Sequence, residues 1–207
     1  MGGRGSGGRM GGGGGLNPGD IKDTTSLISA REGKQELVDY TLSTLRDFRN
    51  EYGAEVGDLV LATITGKSSS AMAYSDGVNV GVNKAYFSER METAYADCVK
   101  NGFHPSNGNK TALQAVVAHE MGHNLTSLVG QKLGTSLMDS AADRIVKEAR
   151  QATGHRGVVQ MASRISRYAT SSNAEAVAEA VADVYCNGSR AKAESRAIVN
   201  VINKYLR

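Results

Sequence analysis

His119, Glu120 and His123 are the residues of this chain whose types and spacing could do chemistry together. On an α-helix, residues four apart lie on one face one turn apart. Both imidazoles can therefore aim at a single Zn²⁺, with Glu120 beside them as a general base. Val116, Val117 and Leu125 surround the motif with apolar side chains, and Gly122 would let a second segment approach the helix closely. A surface helix has no need of either feature. The competing reading is two histidines that cap or line a core, one of them satisfied by Glu120.

A zinc site needs a third protein ligand, and a catalytic one keeps its fourth position open for water. A metzincin would continue with Gly at 126 and His at 129, but this chain has Thr126 and Val129. The other solution takes an acid from a later helix. From Ala174 to Cys186 every residue except Glu175, Glu179 and Asp183 is Ala, Val, Tyr or Cys, so the helix should be buried nearly all round. Its three acids, at i, i+4 and i+8, fall on one stripe. Buried carboxylates that repel one another call for a compensating cation or for protonation, and Zn²⁺ with its histidines supplies it. Glu175 is therefore assigned as the third ligand. Glu179 is the acid that orients a ligand histidine through its outer N–H, and Asp183 is a structural partner. The alternative is an Ala-rich surface helix whose acids face water.

Together these residues resemble the zinc peptidase domain of the anthrax lethal factor type, within the gluzincins. His119-Glu120-x-x-His123 is followed about fifty residues later by Tyr168-x6-Glu175-x3-Glu179. The resemblance is sharpest over 116–125 and 168–183 and keeps its order over 58–187. It implies that the acid seven residues after the tyrosine, Glu175, is the third zinc ligand, and that Tyr168 lends its hydroxyl to the developing oxyanion. It also implies an α+β, zincin-like fold: a small mixed or antiparallel sheet with an edge strand, beside a mostly helical body that carries the metal site. The implied reaction is hydrolysis of a peptide or protein substrate with one Zn²⁺ per chain. One departure is that Ala176 and Val177 stand where the family commonly has aromatic residues, which bears on the pocket rather than on the metal.

Elements must position these side chains. Leu37, Val38, Leu42, Leu45 and Phe48 recur at helical spacing within Lys34–Asn50, and Asp58–Thr65 reads as a buried strand. Ala71–Tyr74 and Val78–Val82 flank Ser75-Asp76-Gly77 as a hairpin, with Val78, Val80 and Val82 on one face. In the resembling peptidases an edge strand before the metal helix pairs with extended substrate, and Val78–Asn83 occupies that place. Gly81 either admits a close backbone approach there or is a small residue in an ordinary strand. Ser88–Asn101 is a helix with Ser88 as N-cap and Gly102 as C-cap. A loop through His104 leads to the metal helix, which begins near Thr111. His104 is either a metal-proximal group or a hydrated loop histidine, and the lack of ligand spacing favours the latter; His155 is treated alike. Gly130 and Gly134 mark the end of the metal helix. Helices follow over Thr135–Ala152, with Leu137, Ala141, Ile145 and Ala149 inward, over Val158–Ser166, and over Ala191–Leu206.

Composition limits the partners. Residues 1–19 hold eleven of the twenty-five glycines and read as a flexible tail, so that 20–207 forms one domain. A net charge of +3, two of it from Arg4 and Arg9 in that tail, argues against a nucleic-acid partner. No run approaches membrane-spanning length, and the first residues lack the apolar core of a signal peptide. The chain is therefore expected in the cytoplasm or in a virion, with Cys98 and Cys186 as free thiols or, alternatively, a single disulfide. Two further functions stay open: an assembly module of a phage head or similar particle with a retained or lost zinc site, and the catalytic part of a delivered toxin or effector.

Overall fold

A computed structural model describes residues 17–27, 34–135 and 138–207; the expected tail over 1–19 lies mostly outside these residues, as does Leu137. In chain order the elements are β1 (Ile21–Ser26), α1 (Gln35–Tyr52), β2 (Leu59–Ile64), β3 (Ala73–Ser75) and β4 (Val80–Asn83). They continue as α2 (Arg90–Lys100), α3 (Ala112–Lys132), α4 (Met138–Thr153), α5 (Val158–Ile165), α6 (Asn173–Asn187) and α7 (Ala193–Leu206). The fold is α+β, a small four-stranded mixed sheet set against a helical body.

The sheet runs β1-β2-β4-β3, with β2 and β4 parallel and both outer pairs antiparallel. This corrects the placement of the edge strand. Val78–Asn83 was expected at the edge, but β4 is interior because Val80 and Val82 are fully buried and pair in register with the apolar Leu59 and Leu61 of β2. Val78 leaves the strand and is 55% exposed. The edge that faces α3 is instead the three-residue β3. Of the two readings of Gly81, a close approach is what is found, made by a side chain and not by backbone: Tyr74, its cross-strand partner, covers it, and a β-carbon there would lie 2.0 Å from the ring.

The helical body forms around α3. Thr111 and Gln114 close a reciprocal capping box, and Glu92 Oε1 accepts from the Ala112 N–H at 2.8 Å, so the first turn of α3 is held by side chains. Every residue from Ala112 to Thr126 is buried, as expected of a helix apolar on all sides. Its chief partner is α6, which Ser172 caps by accepting from the Glu175 N–H at 3.1 Å. Gly122 makes their contact possible: a β-carbon there would stand 2.7 Å from the Ala178 Cα. α2 begins at Arg90 rather than at Ser88, whose Oγ accepts from the Arg90 N–H at 3.3 Å. One face of the sheet, with Leu59, Leu61, Val80 and Val82, meets the apolar side chains of all seven helices in the main core cluster, while Ala62, Ile64, Ala71 and Tyr74 form a smaller second one. Cys98 and Cys186 are buried free thiols.

Candidate metal centre

Gly122 on α3 lies against Ala178 on α6, and each is bracketed by the residues singled out in the sequence. His119 and His123 precede and follow Gly122, while Glu175 lies about one turn before Ala178 and Glu179 directly after it. The close helix approach therefore fixes the meeting of imidazoles and carboxylates. Glu175 Oε2 stands 3.2 Å from His119 Nε2 and 3.6 Å from His123 Nε2. One ligand atom from each of the three residues lies within 4.8 Å of the others.

The donor set fits a small divalent cation on two counts. Tetrahedral ligands about 2.0–2.1 Å from an ion lie roughly 3.3 Å from one another, close to both measured separations. The three facing atoms, His119 Nε2, His123 Nε2 and Glu175 Oε2, are also buried with no hydrogen-bond partner, an arrangement that costs free energy unless a cation or a shared proton satisfies them. These three residues form a buried cluster able to hold a metal ion.

Glu179 sits behind this cluster. Its Oε1 accepts from His119 Nδ1 at 2.8 Å, as expected of the acid that orients a ligand histidine, and its Oε2 accepts from Ser166 Oγ at 2.6 Å. Burial alone would raise both acids. The nearby imidazoles outweigh it and hold the Glu175 and Glu179 carboxyls down at about 2. His119 responds in the opposite sense: burial lowers its pKa, but the Glu175 carboxylate facing Nε2 and the Glu179 carboxylate that accepts from Nδ1 raise it well above the ordinary imidazole range.

Glu120 differs from both. Neither of its carboxylate oxygens has a hydrogen-bond partner, and burial lifts its pKa to about 8 against the pull of His119. It is the one glutamate of the group poised to exchange a proton near neutral pH. Tyr168 is half-buried in a 3₁₀ turn over Tyr168–Thr170, its ring stacked between Phe103 at 5.0 Å and His119 at 6.0 Å. Burial and the carboxylates of Glu175 and Glu120 push its phenol well above the ordinary range, so it remains a donor.

Three residues weighed in the sequence take clear places here. His104, expected to be a hydrated loop histidine, is fully buried, and its Nδ1 is 3.0 Å from Glu179 Oε1. Asp183 is the structural partner expected: it accepts from Ser195 Oγ at 2.6 Å and from the Lys192 N–H at 2.9 Å, which joins α6 to the start of α7. His155 pairs with Glu194 of α7 at 2.9 Å, away from the centre. Ser166 was missed, since no spacing rule connects a serine to an acid on the following helix. Comparisons of the chain with family models, curated proteins and solved structures find no match.

Proposed function

We propose that this protein is a zinc-dependent metalloendopeptidase in which His119, His123 and Glu175 hold one Zn²⁺. The observation that carries the reading is the convergence of three buried, otherwise unpartnered ligand atoms next to an acid raised to about 8. When bound, the ion supplies Lewis acidity: it brings a water's pKa down towards about 7 and polarises a carbonyl.

The chain's own groups handle protons and geometry. Glu120, as carboxylate, takes the proton of the attacking water and, as acid, delivers it to the leaving amine. Tyr168 stays protonated and donates its hydroxyl to the developing oxyanion. Glu179 and Ser166 keep the His119 ring turned so that Nε2 faces Glu175. β3, rather than β4, is the sheet edge nearer α3, where an extended peptide would add its backbone hydrogen bonds.

The test joins metal analysis with peptide-library cleavage by the wild type and by Glu120→Gln. About one zinc per chain in both proteins, with cleavage only by the wild type, supports the proposal. Equal cleavage by the variant removes Glu120 from the base role.

One observation favours a second reading. His119, Glu120 and His123 are all fully buried, as suits a zinc staple in an assembly module rather than an open catalytic site. Unfolding on chelation, with no cleavage of any library peptide, would select that reading.

A further inference from the structure

The two proposed ligand histidines are not held alike. His119 Nδ1 is fixed by Glu179, whereas His123 Nδ1 is buried with no hydrogen-bond partner. The orientation of the imidazole pair therefore depends on Glu179. A carboxylate offers only acceptors, and three polar groups converge on this one. Every group that bonds it must donate.

Glu179 is in turn gripped from three sides. His119 Nδ1 and His104 Nδ1 meet the same oxygen, Oε1, at 2.8 and 3.0 Å, and Ser166 Oγ meets Oε2 at 2.6 Å. His104 is itself rigidly placed. Its ring stacks parallel to Tyr95 at 5.5 Å and takes edge contacts from Phe103 at 4.8 Å and Tyr168 at 5.3 Å. Its backbone neighbours are pinned as well. The Phe103 N–H donates to Cys98 O at 2.8 Å, the Tyr168 N–H to Phe103 O at 3.0 Å, and Tyr95 OH to Pro105 O at 3.1 Å. A hydrated loop histidine needs none of this.

We propose that His104 is a positioning residue: by donating Nδ1–H to Glu179 it anchors that carboxylate, and through it fixes the tautomer and ring orientation of His119. The chain of contacts is His104 Nδ1–H to Glu179 Oε1 to His119 Nδ1–H, which turns His119 Nε2 towards Glu175 and leaves it as the nitrogen that a bound ion would take. The hydrogen-bond assignment stands on the geometry alone, and its consequence for metal affinity rests on the metal reading above. The backbone pairing of Phe103 with Tyr168 adds a second link: the loop that anchors His119 also places the tyrosine.

The test uses the full chain with ¹⁵N-labelled histidine. In the wild type, His104 and His119 should both show Nδ1–H protons far downfield and slow to exchange. His104→Phe keeps an aromatic ring between Tyr95 and Tyr168 but removes the donor, while His104→Asn retains an N–H near the Nδ1 position. The Phe variant should weaken Zn²⁺ binding, read by competition with a chromophoric chelator, by about ten- to hundredfold and lose the downfield His119 signal. The Asn variant should recover most of both, and the chelated proteins should melt alike. A wild-type His104 with a bare Nδ1, or a Phe variant that binds Zn²⁺ as the wild type does, overturns the proposal. Should the Phe variant fail to fold, the wild-type spectrum decides alone. A wild type that takes up no Zn²⁺ yet shows both bonded protons refutes the metal reading and supports the His104 anchor.

Discussion

Glu120, Glu175 and Glu179 are three glutamates within one small volume, yet each is driven to a different state by its neighbours. Glu175 and Glu179 face imidazoles and stay ionised, while Glu120 faces none that bonds it and is lifted to about 8. Replacing Glu120 by Gln keeps shape and removes the proton carrier, so bound metal should be retained while kcat falls by about 10²- to 10⁴-fold, as measured by zinc analysis and steady-state cleavage. Glu175→Ala should act on binding instead, with zinc content near zero in the purified variant and His119 and His123 still in place. The buried cluster of His119, His123 and Glu175 was legible in the sequence because i, i+4 spacing on a helix and an acidic stripe in an apolar run each carry their own physical meaning. His104 was not, because its partner Glu179 lies 75 positions away and only the packed structure brings them together.

At the scale of elements, the α3–α6 contact sets the geometry of the centre. Gly122→Ala would gain helix propensity, worth up to about 1 kcal/mol. It would also drive a β-carbon to 2.7 Å from backbone on α6, and overpacking of that kind costs about 1–3 kcal/mol. The clash should win. A lowered melting temperature together with weakened zinc binding is the expected result, whereas a surface Gly→Ala change would be neutral or stabilising.

A second element contact carries a pH signature. Glu148 on α4 accepts from Lys204 at 2.8 Å and Tyr205 at 2.6 Å of α7, and from Arg144 of its own helix at 2.7 Å; these bonds hold it at about 2. A depressed carboxyl stabilises the fold above its unfolded value near 4.5 and loses that contribution as pH falls towards 2. Because the group is near the surface, Glu148→Gln should cost up to about 1 kcal/mol at pH 7, shrinking as the denaturation midpoints are compared at pH 4 and then at pH 2. α1 and α4 were readable from 3.6-residue periodicity, and α6 from its nearly unbroken apolar run. β1 was not: four of its six residues are exposed, and a register shift between Lys22 and Thr25 breaks its alternation, so it has no apolar pattern to detect. The edge was misplaced for a related reason. Val80 and Val82 read equally well as interior or edge, and only their parallel pairing with β2 decides.

At the scale of the molecule, the two halves of the centre arise from separate parts of the chain, with α4 and α5 between them. Zinc present at about a hundred times its Kd should raise unfolding free energy by about 2.7 kcal/mol, or some 5–11 °C in melting temperature for a chain of this size. Chelation should reverse the shift in a thermal scan. Nothing covalent ties these segments together, since Cys98 and Cys186 are both free. An ion shared by His123 and Glu175 would therefore act as a removable cross-link, tying roughly fifty residues of backbone into a closed ring. On the chain-entropy argument used for disulfides, closing a ring of that length removes about 4 kcal/mol of freedom from the unfolded chain, provided the clasp holds there. A protease cut in the connector between α5 and α6 would open the ring and forfeit that term, while leaving every ligand in place.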